Sequence, residues 1–385
     1  MTPKAIRGAR IFDGETWHER SALLLSGGRV EAIVADTGIP AGSEIVDAAA
    51  GLIVPGFVDL QVNGGGGVML NDAPTVAGLR TICSAHARFG TTALLPTLIT
   101  DTPETTAAVI AAGRQAVAAS VPGFLGLHLE GPHLSLGRKG AHDPSLIRPM
   151  EQADLELLLS CRGAFPAMMI TVAPENATEA QVSCLAEAGF VVSLGHTDAA
   201  FETALRYAEA GARTVTHLFN AMSPLGHREP GVVGAALNVG GLHAGLIADG
   251  IHVHPAAMAI AIQAKQGPGR IFVVTDAMSP IGTDLTSFTL NGREILRRDG
   301  RLTLADGTLA GADIDMLASV RLLHRTLGLA IEEVLRMVSA YPAEAAGVAD
   351  RKGRLAPGLD ADFVALTDDL RMKSTWIGGS CVYSE

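Results

Sequence analysis

The chain has 385 residues, enough for one large domain and a smaller one. Apolar residues make up 48% and charged residues only 18%, which excludes a disordered or fibrous chain. A net charge of −11 argues against nucleic acid or an anionic membrane surface as partner, although one or two local cations suffice for a small anionic substrate. The four cysteines, Cys83, Cys161, Cys184 and Cys381, follow no disulfide or CxxC spacing, and a reducing compartment is the simplest setting. The opening MTPKAIRGARIFDGE has no apolar run of the secretory type, and no apolar run of ~20 residues follows that would span a membrane. A cytoplasmic protein is expected.

Residues 1–54 carry short β-type runs separated by Gly-Gly and Asp-Gly turns, and nothing there reaches helical length. From Gly56 onward, strand candidates alternate with helix-length segments. The strands are expected at 57–64, 91–97, 123–131, 167–175, 190–197, 214–220, 243–250 and 271–277. Helices are expected at 74–89, 102–119, 151–161, 178–188, 198–210 and 255–265, with two more, 314–327 and 331–340, after the eighth strand. The stretch Phe190–Met222 shows the rhythm best. Two apolar runs each end in a histidine, His196 and His217. The helix between them opens at a Thr197-Asp198 capping signal and stops at Gly211. After Asn220 the sixth crossover is rich in Gly and Pro and reads as a functional loop. The tail, 352–385, returns to β character. The expected architecture is a (β/α)8 barrel over 55–351, with one small β domain formed by 1–54 and 352–385.

All but one of the eight strands end in residues able to do chemistry: Asp59, Gln61 and Asn63; Glu130; Glu175; His196; His217; Asp249 with His252 beyond; and Asp276. In such barrels the carboxyl ends of the strands carry the site. Glu130, His196 and His217 make a first shell for one divalent ion such as Zn2+, with a position left open for water. Glu130 follows the apolar run FLGLHL, where a carboxylate is costly unless a metal or hydrogen bonds hold it. Asp276 is placed to take a proton from that water, or else to cap the turn that follows. His142 alone reads as a solvated loop histidine. Arg228 and His252 are the best local cations for a phosphate, and His254 opens a helix.

The blocks HLEGP (128–132), KGAHDP (139–144), SLGHT (193–197), THLFNAM (216–222), REPG (228–231), ADGIHV (248–253) and VTDAM (274–278) resemble those of the N-acetylglucosamine-6-phosphate deacetylase family of the amidohydrolase superfamily. The resemblance runs over nearly the whole chain. It implies Glu130, His196 and His217 as metal ligands, Asp276 as general base and acid, and His142 beside the acetamide carbonyl. It further implies Asn220, Ala221, Arg228 and His252 at the sugar and phosphate, with Arg228 supplied by the partner in a homodimer. Many amidohydrolases carry His-x-His at the end of the first strand; Gln61-Val62-Asn63 stands there instead and the fourth strand has no lysine, so one tightly held ion is expected. Zn2+ comes first, with Fe2+, Co2+ or Mn2+ as alternatives. Asp313 and Asp315 in LAGADIDM follow the eighth strand and depart from the pattern, and the sequence leaves their effect on the substrate pocket open. The expected reaction is removal of acetate from N-acetylglucosamine 6-phosphate. Hydrolysis of another N-acyl amino sugar or a cyclic amide is the main alternative, and a non-catalytic barrel the other.

Overall fold

The computed structural model describes residues 3–385; the first two residues of the expected amino-terminal β unit lie outside the described residues. Eight parallel strands form one sheet: β1 (Phe57–Val62), β2 (Thr91–Ile99), β3 (Gly126–Glu130), β4 (Ala167–Val172), β5 (Val191–Leu194), β6 (Thr214–Val215), β7 (His243–Ile247) and β8 (Ile271–Val274). They neighbour one another in strict chain order, β8 to β1. The helices that follow the first seven are α1 (Val76–Ala87), α2 (Pro103–Ala118), α3 (Gln152–Leu159), α4 (Glu179–Glu187), α5 (Phe201–Glu209), α6 (Gly231–Asn238) and α7 (Pro255–Ala264). Strands buried on both faces read as near-continuous apolar runs, as β4 and β8 do, while β1 breaks its run with the buried Asp59 and Gln61. This is the (β/α)8 barrel.

The seam between β8 and β1 is closed by a side chain. Asp59 is fully buried. Its carboxylate accepts the Thr275 hydroxyl at 2.6 Å and the backbone N–H groups of Thr275 and Gln61 at 3.2 Å each. Backbone bonds from Asp276 to Gln61 and from Asn63 to Ala277 continue the closure toward the rim. Burial pushes the Asp59 carboxyl up to about 7, against those hydrogen bonds. Asp59, expected at the rim, is therefore a structural residue of the barrel wall.

Three expectations need correction. The capping signal at Thr197-Asp198 does not open α5, which begins at Phe201 with no side-chain cap of its own. The Phe201 N–H instead donates to Glu229 Oε1 at 2.8 Å, a partner 28 residues away that local sequence cannot reveal. The sixth crossover contains a helix, α6, buried along most of its length. The third correction follows β8, where the chain first builds a four-stranded antiparallel sheet, Ser287–Leu290, Arg293–Arg298, Arg301–Thr303 and Leu309–Ala312, before its last helices. Its turns were legible: Asn291-Gly292 and Asp299-Gly300 both have positive φ at each residue, as two-residue hairpins require.

The helix expected at 314–327 is α8 (Met316–Arg321), continued by a π-type turn over Leu322–Thr326. Beyond it lie α9 (Ile331–Val338) and α10 (Ala340–Ala345). The chain ends meet. Phe363–Leu366 pairs antiparallel with Leu52–Pro55 in a six-stranded sheet, and a four-stranded sheet from residues 4–47 faces it. Ile6, Leu23 and Leu25 of one sheet pack with Ile11, Ile53 and Phe363 of the other.

Asp59→Ala would leave one hydroxyl and two backbone N–H groups at the seam without their acceptor. The expected outcome is a loss of roughly 2–4 kcal/mol in denaturant unfolding, with about 0.5–1.5 kcal/mol for Thr275→Val. A loss within error for both would show that the seam does not depend on this carboxylate.

Candidate active site

At the carboxyl rim Glu130, His196 and His217 converge. Glu130 Oε1 lies 3.2 Å from His196 Nε2 and 3.1 Å from His217 Nε2, and the two nitrogens are 3.1 Å apart. All three side chains are buried. Protons do not satisfy all three contacts: one hydrogen between the nitrogens leaves the carboxylate unmet, and two N–H groups donating to Oε1 would stand donor to donor at 3.1 Å. One cation satisfies all three atoms: donors held tetrahedrally at ~2.0–2.1 Å from an ion stand about 3.3–3.4 Å apart. His196 Nδ1 donates to the Arg138 carbonyl at 2.8 Å, which leaves its Nε2 lone pair for the ion. The donor set fits one divalent metal.

His142 also approaches, and Glu130, His142 and His196 each bring a donor atom within 4.8 Å of the others. Its Nε2 is 3.8 Å from Glu130 Oε2, farther than either member of the triangle. The Thr100 N–H donates to His142 Nδ1 at 3.3 Å, and the Thr100 hydroxyl lies 2.8 Å from the same atom. That network puts the His142 proton on Nε2, facing the cavity. Burial, then the charge of His196, pushes His142 down to about 3, so it is neutral. The expectation of a solvated loop histidine gives way to a buried donor. Its loop is braced from above by Arg293, which donates to the Ala141 carbonyl. Thr100 and Arg293 were invisible as site residues, since neither stands in a motif.

The electrostatics follow from burial. Desolvation would raise the Glu130 carboxyl, but hydrogen bonds and charge from His196 and His217 hold it well below the usual carboxylate range. Asp276 goes the other way, to about 6, through burial and the nearby Glu130 charge, partly opposed by His217 and Asn63. The side chains of Gln61 and Asn63 tie the two carboxylates together. Gln61 Nε2 donates to Glu130 Oε1 at 3.0 Å and to Asp276 Oδ1 at 3.2 Å, and Asn63 Nδ2 donates to Asp276 Oδ1 at 2.7 Å. Asp276 Oδ2 is left without a protein hydrogen bond. His196, His217 and Asp276 all have positive φ, 48°, 25° and 52°, as do Phe219 and Ala221. Non-glycine residues in that region cost of order 1–3 kcal/mol each and cluster where function requires it.

The cavity, about 270 Å3, is lined by Asn63, Glu130, His142, His196, His217 and Asp276 with Asn220, Ala221 and His252, and by an apolar wall including Ile99, Met278 and Leu290; Gln61 lies behind the two carboxylates and does not line it. His252 Nδ1 donates to Asp249 Oδ2 at 2.6 Å, which fixes the ring. Burial would raise Asp249, but the His252 hydrogen bond and charge outweigh it and the pKa is lowered. Arg228 is exposed on the sixth crossover and does not line its own chain's cavity. Nor does Glu175, which accepts from the Thr197 hydroxyl and the Asp198 N–H and braces the start of the α5 loop. Asp313 and Asp315, whose effect on the pocket the sequence left open, stand outside the cavity. Asp313 accepts from Arg297 Nε at 2.8 Å, anchoring the antiparallel insertion, and Asp315 caps α8. The insertion contributes Leu290, Thr308, Leu309 and Gly311 to the wall, none anticipated from sequence. His254 caps α7, as its position before Pro255 suggested.

A (β/α)8 barrel presenting a two-histidine, one-carboxylate triangle with an ionisable aspartate beside it defines a metal-dependent hydrolase. The amidohydrolase family model matches residues 52–382. An N-acetylgalactosamine-6-phosphate deacetylase of a Shewanella species is 43% identical, over 87% of this chain and 84% of its own length. The Haemophilus influenzae N-acetylglucosamine-6-phosphate deacetylase is 34% identical over 93% of each. Among solved structures, the Pasteurella multocida N-acetylglucosamine-6-phosphate deacetylase superposes over 100% of both chains with a TM-score of 0.95 at 34% identity. A Mycobacterium smegmatis enzyme of the same name, solved as an aspartate-to-alanine mutant in complex with N-acetylglucosamine 6-phosphate, gives 0.90 at 31%, again over all of both chains. The chain belongs to the amidohydrolase family.

Protein prepared without chelator should hold close to one tightly bound divalent ion per chain by elemental analysis. His196→Ala and His217→Ala should lose it, whereas Asp276→Asn should keep it. Two equivalents that survive dialysis would contradict the single triangle.

Proposed function

We propose that the chain removes the acetyl group from an N-acetylhexosamine 6-phosphate, N-acetylglucosamine 6-phosphate in the first place. The observation that carries this reading is Gln61, whose one amide nitrogen joins Glu130 of the triangle to Asp276. Base and metal donors are thereby held in one frame. A divalent ion, Zn2+ by the chemistry of two imidazoles and a carboxylate, supplies polarisation of the amide carbonyl and acidification of the attacking water. Asp276, fixed through Oδ1, accepts the water's proton and returns it to the amide nitrogen as the C–N bond breaks. Protonation lets the nitrogen leave as an amine, and acetate is the other product. His142 donates from Nε2 to the carbonyl oxygen as that oxygen gains charge.

His252, held by Asp249, together with Asn220 and the Ala221 backbone serves the sugar and its phosphate. Arg228 is exposed and does not line its own cavity, and we infer that it completes the phosphate site of a second subunit. Leu225, 55% exposed on the same loop, is suited to such an interface. The exposed free thiols Cys184 and Cys381 suit a cytoplasmic setting. No helix among the described residues is long and apolar enough to cross a membrane.

One observation favours a second sugar: the Shewanella relative, at 43% identity, is named for the galactosamine epimer. Acetate release from both epimers, each with and without the phosphate, decides between them. The reading expects one phosphorylated epimer to be preferred and both unphosphorylated sugars to be poor substrates. Equal rates with and without phosphate would instead favour a hydrolase of other N-acyl compounds.

Asp276 must be ionised to accept a proton, so kcat/KM should fall as pH drops through its pKa. That lies near 6 without the ion and lower with its positive charge nearby. In Asp276→Asn the residual rate should lose this acid limb; an unchanged limb would assign the base to another group. For Arg228→Ala, use of the phosphorylated sugar should weaken roughly ten- to a hundredfold, with little effect on the unphosphorylated one. Mixing Arg228→Ala and Asp276→Asn chains should restore activity, because a mixed dimer contains one intact site. No recovery despite subunit exchange would return Arg228 to its own chain's site.

A further inference from the structure

The end of the barrel opposite the catalytic rim carries a second cavity, of about 320 Å3, that the reaction does not use. It lies where β4, β5 and β7 begin, with Ala167, Val191 and His243 in its wall. Arg162 and Arg213 also line it, and among the described residues Glu344 is the only acid that does. Arg213 and Arg270 directly precede the first residues of β6 and β8, and His243 opens β7 between them. The parallel register Thr214 to His243 and Ala244 to Ile271 puts these three positions on neighbouring strand starts. Adjacent strands are about 4.8 Å apart, so Arg213 and His243, on neighbouring strand starts, can meet one small oxyanion, whereas the Arg270 guanidinium lies over the Tyr341 ring and does not line the cavity. None of the ion pairs among the described residues involves Arg162, Arg213 or Arg270.

His243 adds a directed donor. The Arg270 N–H donates to its Nδ1 at 3.2 Å, which leaves the ring proton on Nε2. Burial, followed by the charges of Lys265, Arg213 and Arg270, pushes its pKa down to about 4, so it donates as a neutral imidazole. Lys265 itself falls to about 8 through burial and Arg270. These mutual shifts report a concentration of positive charge that an anion would relieve.

We propose that this cavity binds the phosphate group of a small molecule, through the Arg213 and Arg162 guanidiniums and His243 Nε2. Guanidinium forks match phosphate oxygens, and the position lets a ligand bind while substrate occupies the rim. The inference stands independently of the reaction assigned to the rim.

The test is a titration of the metal-loaded full-length protein, labelled at histidine Cε1 for NMR, with inorganic phosphate, glucosamine 6-phosphate or sodium chloride at matched ionic strength. His243→Gln assigns the resonance. The expected result is a saturable shift of the His243 signal by phosphate, by the sugar phosphate, or by both, and none by chloride. A response to inorganic phosphate identifies the free ion as sufficient; a response to the ester alone identifies a phosphorylated metabolite. Arg213→Ala should weaken binding roughly tenfold and the Arg162→Ala/Arg213→Ala pair up to a hundredfold, while turnover and Tm stay near wild type. A signal that moves with neither phosphate, or equally with chloride, would overturn the proposal, as would unchanged affinity in the double variant.

Discussion

A single carboxylate, that of Glu130, sets the terms for the rest of the site. Ionised and buried, it would be untenable at the end of an apolar strand without the two imidazoles and the Gln61 amide that meet it. Its charge then propagates. It raises Asp276, which makes that aspartate a better proton acceptor, and its imidazole partners help keep His142 neutral. The barrel delivers these groups from strands β1, β3, β5, β6 and β8, so the geometry depends on closure of the sheet. Asp59 provides that closure a few residues below the site.

Much of this was legible because a parallel barrel writes its chemistry at regular places. Apolar runs that end abruptly in Glu130, His196, His217 and Asp276 locate the rim without any knowledge of the packing. Local sequence fails where a residue acts through a distant partner. Asp59 looked like a rim residue and is a seam residue, because its role depends on Thr275, 216 positions away. Glu175 looked like a rim residue able to do chemistry and instead holds a loop. Thr100 and Arg293 gave no signal, since they work through long-range hydrogen bonds, and Glu229, though inside the REPG block, gave no sign that it caps a helix 28 residues away. The antiparallel insertion is a different kind of miss. Its Asn-Gly and Asp-Gly turns were in plain view, but the expectation of a helix directly after the eighth strand displaced them.

The two ends of the barrel carry opposite electrostatic designs. At the catalytic rim, acids and imidazoles are paired, buried and arranged around a position for one cation. At the opposite end, arginines and a neutral histidine surround a cavity with hardly any acid. The sixth crossover separates its roles similarly: Glu229 caps α5 within the chain, while the adjacent Arg228 and Leu225 face outward.

The account rests on His217, and not His142, closing the metal triangle with Glu130 and His196. X-ray absorption at the zinc edge of protein loaded with one equivalent tests this directly. The account predicts two imidazoles and oxygen donors at ~2.0–2.2 Å in the wild type, the same shell in His142→Ala, and no retained zinc in His217→Ala. A shell that loses an imidazole in His142→Ala and keeps both in His217→Ala would contradict it.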